Sequence, residues 1–403
     1  MHYRVAYYIT RSSFFSACCA SIRAKKFQIL LQFRLYFHAL VYAEQIAQQQ
    51  GDVKNMKQVS KGRSRQMTSF AVAAIIMAAV TAATVQAKEW EVTAGAESPG
   101  LGSQALAFLP NELWINTGDS IRWTFPTHER HTITFMRPGQ TRPASFGPVF
   151  GIPVGCPGLL PDGSVFDGSG CVTSGILRLD ENTTTAPTYS VSFPTAGNFK
   201  FVCLVHADMT GVVHVLSLSD PLPHDQDFYD TQALRNQLLL VGDASSLEGQ
   251  TSRRGGLGGA QSNEVTAGVG EIITTTGAGS QTASLMRFLR ETIVVQVGDT
   301  VEWTMLDPSI SHTVTFGTEP ADPRPSSANV TLTSDGARQA VIVSATDNVN
   351  SGFLTGAPQD RATLAQAPPG VTRFRVTFTV PGTFNYICAI HDELNMLGTV
   401  IVH

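Results

Sequence analysis

The feature that most restricts this chain is that it repeats itself. Gly118-Asp119-Ser120-Ile121-Arg122-Trp123-Thr124 matches Gly298-Asp299-Thr300-Val301-Glu302-Trp303-Thr304 at an offset of 180 residues, and the five residues from His131 match the five from His312 at 181. Further along, Ser174-Gly175-Ile176-Leu177 answers Ser351-Gly352-Phe353-Leu354, and Cys203 answers Cys388 at 185. An offset that shifts by only a few residues from match to match, 180, 181, 177 and then 185, means two copies of one unit whose loops have drifted in length. One fold must therefore accommodate both halves.

That fold reads as all-β. Ile121, Trp123 and Phe125 alternate with polar residues, as do Val301, Trp303 and Met305 in the second copy. Tyr189, Val191 and Phe193 alternate likewise, answered by Phe374, Val376, Phe378 and Val380. A period of two marks half-buried strands, and Gly-Asp or Pro/Gly turns bound each run. Phe199, Phe201 and Cys203, matched by Phe384, Tyr386 and Cys388, place each cysteine at the end of a strand's inward face. Each half is expected to be an antiparallel sandwich, the first over 88–218 and the second over 264–403. Residues 219–263 are rich in Asp, Gly, Ser and Gln, with RRGGLGGAQS towards the end, and predict a flexible linker with one short helix near Asp230 to Val241.

The start of the chain reads differently. Lys57, Lys61, Arg63 and Arg65 precede an apolar run from Thr68 to Ala87 that ends in small residues. This is the pattern of a secretory signal peptide over 56–87, cut after Ala87, and the run is short for a membrane anchor. Residues 1–55 lie upstream of that signal and are expected to be a non-native extension, with Met56 the candidate start. From Lys88 onward 17 Lys and Arg face 30 Asp and Glu, a difference of −13. So acidic a surface repels nucleic acid and anionic membranes and favours basic partners. The expected location is periplasmic or secreted.

Four cysteines remain after the leader. Cys156 and Cys171 flank the Gly- and Pro-rich stretch PGLLPDGSVFDGSG, which an exported compartment allows to be closed by a disulfide, with free or metal-binding thiols as the alternative. Cys203 and Cys388 have no neighbouring thiol. Cys203 is followed by His206 and Met209, with His131 upstream; Cys388 is followed by His391 and Met396, with His312 upstream. One thiolate, two imidazoles and a thioether form a soft nitrogen-sulfur set that suits copper rather than magnesium, calcium or manganese, and thioether ligation argues against zinc. Two residues between Cys and His let a tight loop present both to one point, a distant His completes a trigonal plane, and Met supplies a long axial contact. Taken alone, a histidine, a methionine or a Cys-x2-His is commonplace; the full set occurs twice, at matching places, each followed by Met-x-Gly. His128 is a weaker candidate because its counterpart in the second half is Pro308 or Ser309, and His214, His224 and His403 have no ligand-like context.

On these residues the sequence resembles the cupredoxin family of type 1 blue copper proteins, which includes plastocyanin, azurin, amicyanin and halocyanin-like relatives. The Cys-x2-His-x2-Met loop of the first half is similar to amicyanin, and the Cys-x2-His-x4-Met loop of the second to plastocyanin. The resemblance implies two tandem Greek-key sandwiches. It also implies one copper per half, held by His131, Cys203, His206 and Met209 and by His312, Cys388, His391 and Met396. The intervals from the first His to the Cys, 72 and 76 residues, are longer than a small cupredoxin needs, so each half carries an insertion.

Oxidases and nitrite reductases built from such domains need further copper-binding histidines, commonly as His-x-His or beside the blue-copper Cys. The chain has no His-x-His, and Val202, Leu204, Ile387 and Ala389 flank the two cysteines. The expectation is thus a carrier of single electrons between redox partner proteins rather than an enzyme, with copper storage or delivery as the alternative. The unequal loops predict two distinguishable potentials.

Overall fold

The computed structural model describes residues 87–140, 142, 156, 164–255, 263–275, 279–356 and 370–403. The leader, the start-site expectation and residues 256–262 of the glycine-rich stretch lie outside the described residues. The first half contains β1 (Glu89–Glu97), β2 (Ser103–Leu109), β3 (Glu112–Asn116), β4 (Ser120–Thr124), β5 (Thr134–Phe135), β6 (Ser164–Val165), β7 (Val172–Thr173), β8 (Thr188–Ser192), β9 (Gly197–Val202) and β10 (Thr210–Leu216). Helix α1 (Gln226–Gly255) follows. The second half contains β11 (Glu264–Thr275), β12 (Gly279–Leu289), β13 (Thr292–Val295), β14 (Thr300–Leu306), β15 (Ser311–His312), β16 (Thr315–Phe316), β17 (Thr331–Leu332), β18 (Arg338–Ile342), β19 (Val349–Asn350), β20 (Leu354–Thr355), β21 (Arg373–Phe378), β22 (Gly382–Ile387) and β23 (Leu397–Val402).

Each half packs a five-stranded sheet against part of a longer one. The small sheets run β3-β10-β9-β5-β7 and β13-β23-β22-β16-β19, the same order of equivalent strands. Apolar alternation puts Trp123, Phe135 and Phe201 inside the first sandwich, where the Phe201 ring centroid lies 5.5 Å from that of Trp123 and 5.2 Å from that of Phe135. In the second sandwich Tyr386 sits 5.2 Å from both Trp303 and Phe316. Such pairs add about 0.5–1.5 kcal/mol each beyond the area they bury.

The halves are not strung on a loose tether. β2 and β12 pair antiparallel, Ala105 opposite Ala283 and Gln104 opposite Ser284, so that one sheet of eleven strands runs through both. Small side chains along this seam, Ala96, Ala105, Ala107 and Ala283, leave room for α1 to lie on it with Leu240 and Ala244. Leu247 continues the stripe onto Val269, Leu285 and Leu289. Of the linker expected over 219–263, the stretch Gln226–Gly255 is thus one 30-residue helix. Composition alone obscured it, because the Asp, Ser and Gln that suggested a linker form its outer face, while Leu240, Ala244 and Leu247, three or four apart, form the stripe that docks. At its start Tyr229 is buried, its hydroxyl accepting from the Trp114 backbone N–H at 2.8 Å.

Candidate metal centres

The upstream histidine of each half is fixed by backbone. His131 exchanges hydrogen bonds with Leu177 (N to O 3.0 Å, O to N 2.9 Å), and His312 pairs with Leu354. These partners end the two Ser-Gly-x-Leu segments of the repeat. The serines also act: Ser174 Oγ accepts the Ile133 N–H and Ser351 Oγ the Val314 N–H, each at 2.9 Å.

The ligand loops close on themselves. The Cys203 N–H donates to Met209 O at 2.9 Å and the Cys388 N–H to Met396 O at 3.0 Å. The two extra residues of the second loop are taken up by a 3-10 turn, Asp392–Leu394, and by Asn395 in the left-handed region at φ 64°. At the base of each loop one threonine makes the same two contacts. The Thr132 and Thr313 N–H groups each lie 3.4 Å from the cysteine sulfur, and their hydroxyls accept from Leu204 N and Ala389 N at 2.8 Å.

Two triads result. The nitrogen and sulfur atoms of His131, Cys203 and His206 lie within 4.8 Å of one another, as do those of His312, Cys388 and His391. The Nδ1 atoms face inward, 3.2 Å apart in the first triad and 2.9 Å in the second. All six residues are buried, and Met209 and Met396 belong to the same apolar clusters as the cysteines. This donor set, closed from water, is what a copper ion held by two imidazoles and a thiolate requires. Of the remaining histidines, His128 is turned away to Glu97 (Nδ1 to Oε1 2.7 Å), His214 lies between Asn198 and Glu112, and His224 stacks on Phe228 at 3.7 Å.

The behind-ring contacts were not foreseen from sequence. β1 and β11 each carry a bulge at Gly95 (φ 82°) and Gly268 (φ 76°), where the bare backbone touches the upstream imidazole. A Cβ there would lie 2.4 Å from His131 Nε2 or 2.2 Å from His312 Nε2. Thr93-Ala94-Gly95 and Thr266-Ala267-Gly268 are a visible repeat, so the signal existed. Glu129 gave none, since no acidic residue stands at its place in the second half. Its carboxylate is buried, with Oε1 3.3 Å from His206 Nε2 and Oε2 3.4 Å from His391 Nε2.

Electrostatics distinguish the metal-free triads. Burial opposes a charged thiolate at Cys203, but the His206 and His131 imidazoles overcome it and hold the thiol well below its ordinary value. His206, also penalised by burial, is raised to about 9 by Cys203 and Glu129. In the second triad burial prevails, pushing Cys388 up to about 12 and His391 down to about 4. Burial opposes the charge on Glu129, but His391, His206 and Arg130 beside it outweigh that cost and hold it well below the carboxylate range.

The predicted Cys156–Cys171 disulfide is formed, with Cα atoms 5.5 Å apart. Within the same long interval, Arg142 donates to His206 O at 2.8 Å, to Ala207 O at 2.7 Å and to Cys203 O, clasping the first ligand loop from outside.

The strand order and the paired triads define a β-sandwich protein of two like halves, each with a buried His-Cys-His donor set. Residues 274–403, which contain the second triad, match the model of the family described as copper binding proteins, plastocyanin/azurin family. Among solved structures the chain is similar to the oxidised form of plastocyanin from Dryopteris crassirhizoma, at 19% identity over 35% of this chain and 99% of that one, with a TM-score of 0.18. It is also similar to a Cu(I) amicyanin variant, at 19% identity over 29% of this chain and 74% of that one, also with a TM-score of 0.18. No curated protein sequence matches the chain.

Proposed function

We propose that the protein is a two-copper carrier of single electrons working outside the cytoplasm. His131, Cys203, His206 and Met209 hold one copper, and His312, Cys388, His391 and Met396 the other. The observation that carries this reading is the pair of buried His-Cys-His triads, each with a backbone N–H directed at its sulfur. When bound, copper supplies a one-electron couple; the chain supplies a rigid, dry donor set that suits both oxidation states and leaves little room for substrate. Export rests on the leader pattern, and among the described residues no helix is long and apolar enough to cross a membrane. The excess of acidic residues in the mature chain favours partners that are basic where they touch.

Copper loading followed by a redox titration tests the reading. It requires two coppers per chain, an intense blue oxidised form and two reversible one-electron steps at separate potentials. Cys203→Ser and Cys388→Ser should each remove one blue site. A colourless protein that holds only Cu(I) and yields it readily to acceptors would instead support storage or delivery.

A further inference from the structure

The two ligand loops face each other across the seam between the halves. Arg130 donates to Ile390 O at 2.9 Å and pairs with Glu393 at 2.7 Å, and Arg178 reaches the same carboxylate. On the opposite side, the Ala207 N–H donates to Ser309 O and Ser309 Oγ to Asp208 Oδ2, each at 3.4 Å. Between these contacts the outer nitrogens of His206 and His391 meet the two oxygens of one carboxylate, Glu129, 1% exposed. Neither His206 Nε2 nor Glu129 Oε2 makes a hydrogen bond of full geometry to any described residue, so the carboxylate meets the two rings by close approach in a dry space.

With Nδ1 turned into each triad, Nε2 is the atom that a second group must hold if the ring is to keep its orientation. A histidine ligand ordinarily has its own such group. Here two sites draw on one, supplied by a residue two positions before His131 and belonging in sequence to the first half only.

We infer that Glu129 is a positioning residue shared by both sites, its carboxylate fixing the loop histidine of each half at once. This inference rests on the two-site reading above and extends it: the sites form a coupled pair, because any movement of Glu129 towards one ring is felt by the other. The second half, although it carries all four of its own donors, is completed by a side chain from the first.

Glu129→Gln tests this, since it keeps the volume and removes the charge. In the metal-free chain the imidazole nitrogen resonances of His206 and His391 should both shift. In the Cys388→Ser background copper binding at the first site should weaken, and in the Cys203→Ser background binding at the second, each by about 10- to 100-fold, the range for groups that orient ligands. Glu129→Ala, which removes both contacts, should reproduce the pattern. Shifts confined to His206, or affinity lost only at the first site, would overturn the inference, as would no change at either. If the two Cys→Ser chains take up no copper, the electron-carrier reading fails, while the resonances of the metal-free chain still decide the role of Glu129.

Discussion

Replacing Gly268 by Ala should abolish the second copper site and spare the first. The added Cβ would lie 2.2 Å from His312 Nε2 and 2.4 Å from its Cδ2. Carbon and nitrogen do not normally approach within about 3.4 Å, so the ring must retreat by about 1 Å, whereas metal-ligand distances tolerate about 0.2 Å. The ring has nowhere to go, because His391 Nδ1 is 2.9 Å and Cys388 Sγ 3.7 Å from its Nδ1. The substitution also places an L side chain at φ 76°, which costs about 1–2 kcal/mol. Gly118→Ala separates these effects: its φ is 96°, but a Cβ there meets nothing within 4 Å. Gly118→Ala should lower stability by about the strain alone and keep both coppers. Gly268→Ala should carry one copper per chain and lose the spectrum of the second site, and Gly95→Ala should do the converse. Metal analysis, visible absorption and thermal unfolding of the three variants make the comparison. Two coppers with unchanged spectra in Gly268→Ala would refute the claim that the bare backbone sets the ring's position.

Two other outcomes follow from the structure. Burial raises the pKa of Asp307, a carboxyl that accepts from Ser309 N at 2.9 Å and from Ser284. The folded state therefore holds its proton more tightly than the unfolded chain, and the stability this provides is present below the unfolded value near 3.9 and lost as pH rises through the folded one. Asp307→Asn should gain on the parent as pH is raised from 4 towards neutrality in denaturant titrations; an equal difference at both pH values would contradict this. Leu240→Ala should cost about 2–5 kcal/mol, because the side chain is buried in the seam under α1, and both halves should lose stability in a single transition. Two separate calorimetric transitions, with only one shifted, would show that the helix does not tie the halves.

Most of each triad was legible before any coordinates. Strand alternation places Cys203 and Cys388 at inward strand ends, and the repeat brings His131 and His312 into register with them. The serines and threonines around the triads were visible in that repeat as identities, but their roles depend on backbone donors that only the folded chain brings near, such as the Thr132 N–H beside Cys203 Sγ. The linker misled because its composition is that of a solvated helix face, and the docked stripe shows only once a seam of alanines exists to receive it. Glu129 was illegible for a deeper reason. Its partner His391 is 262 residues away and in the other copy, and a repeat shows what two halves share, not what one lends the other.

The register of the central pairing has a further meaning. Phe108 pairs with Ala94 as Phe288 pairs with Ala267, which makes Gln104 and Ser284 equivalent positions, and these two face each other in the β2–β12 ladder. Such self-complementarity is that of an isologous contact, the kind by which two identical subunits form a closed dimer. A homodimer of single halves joined in this way would bring two copies of Glu129 to its axis, like charges in a dry space, each raising the cost of ionising the other. Joining the copies in one polypeptide removes that conflict, because the second copy can dispense with its acid. Covalent fusion thus allows an asymmetric centre, one carboxylate between two like sites, that identical subunits could not build.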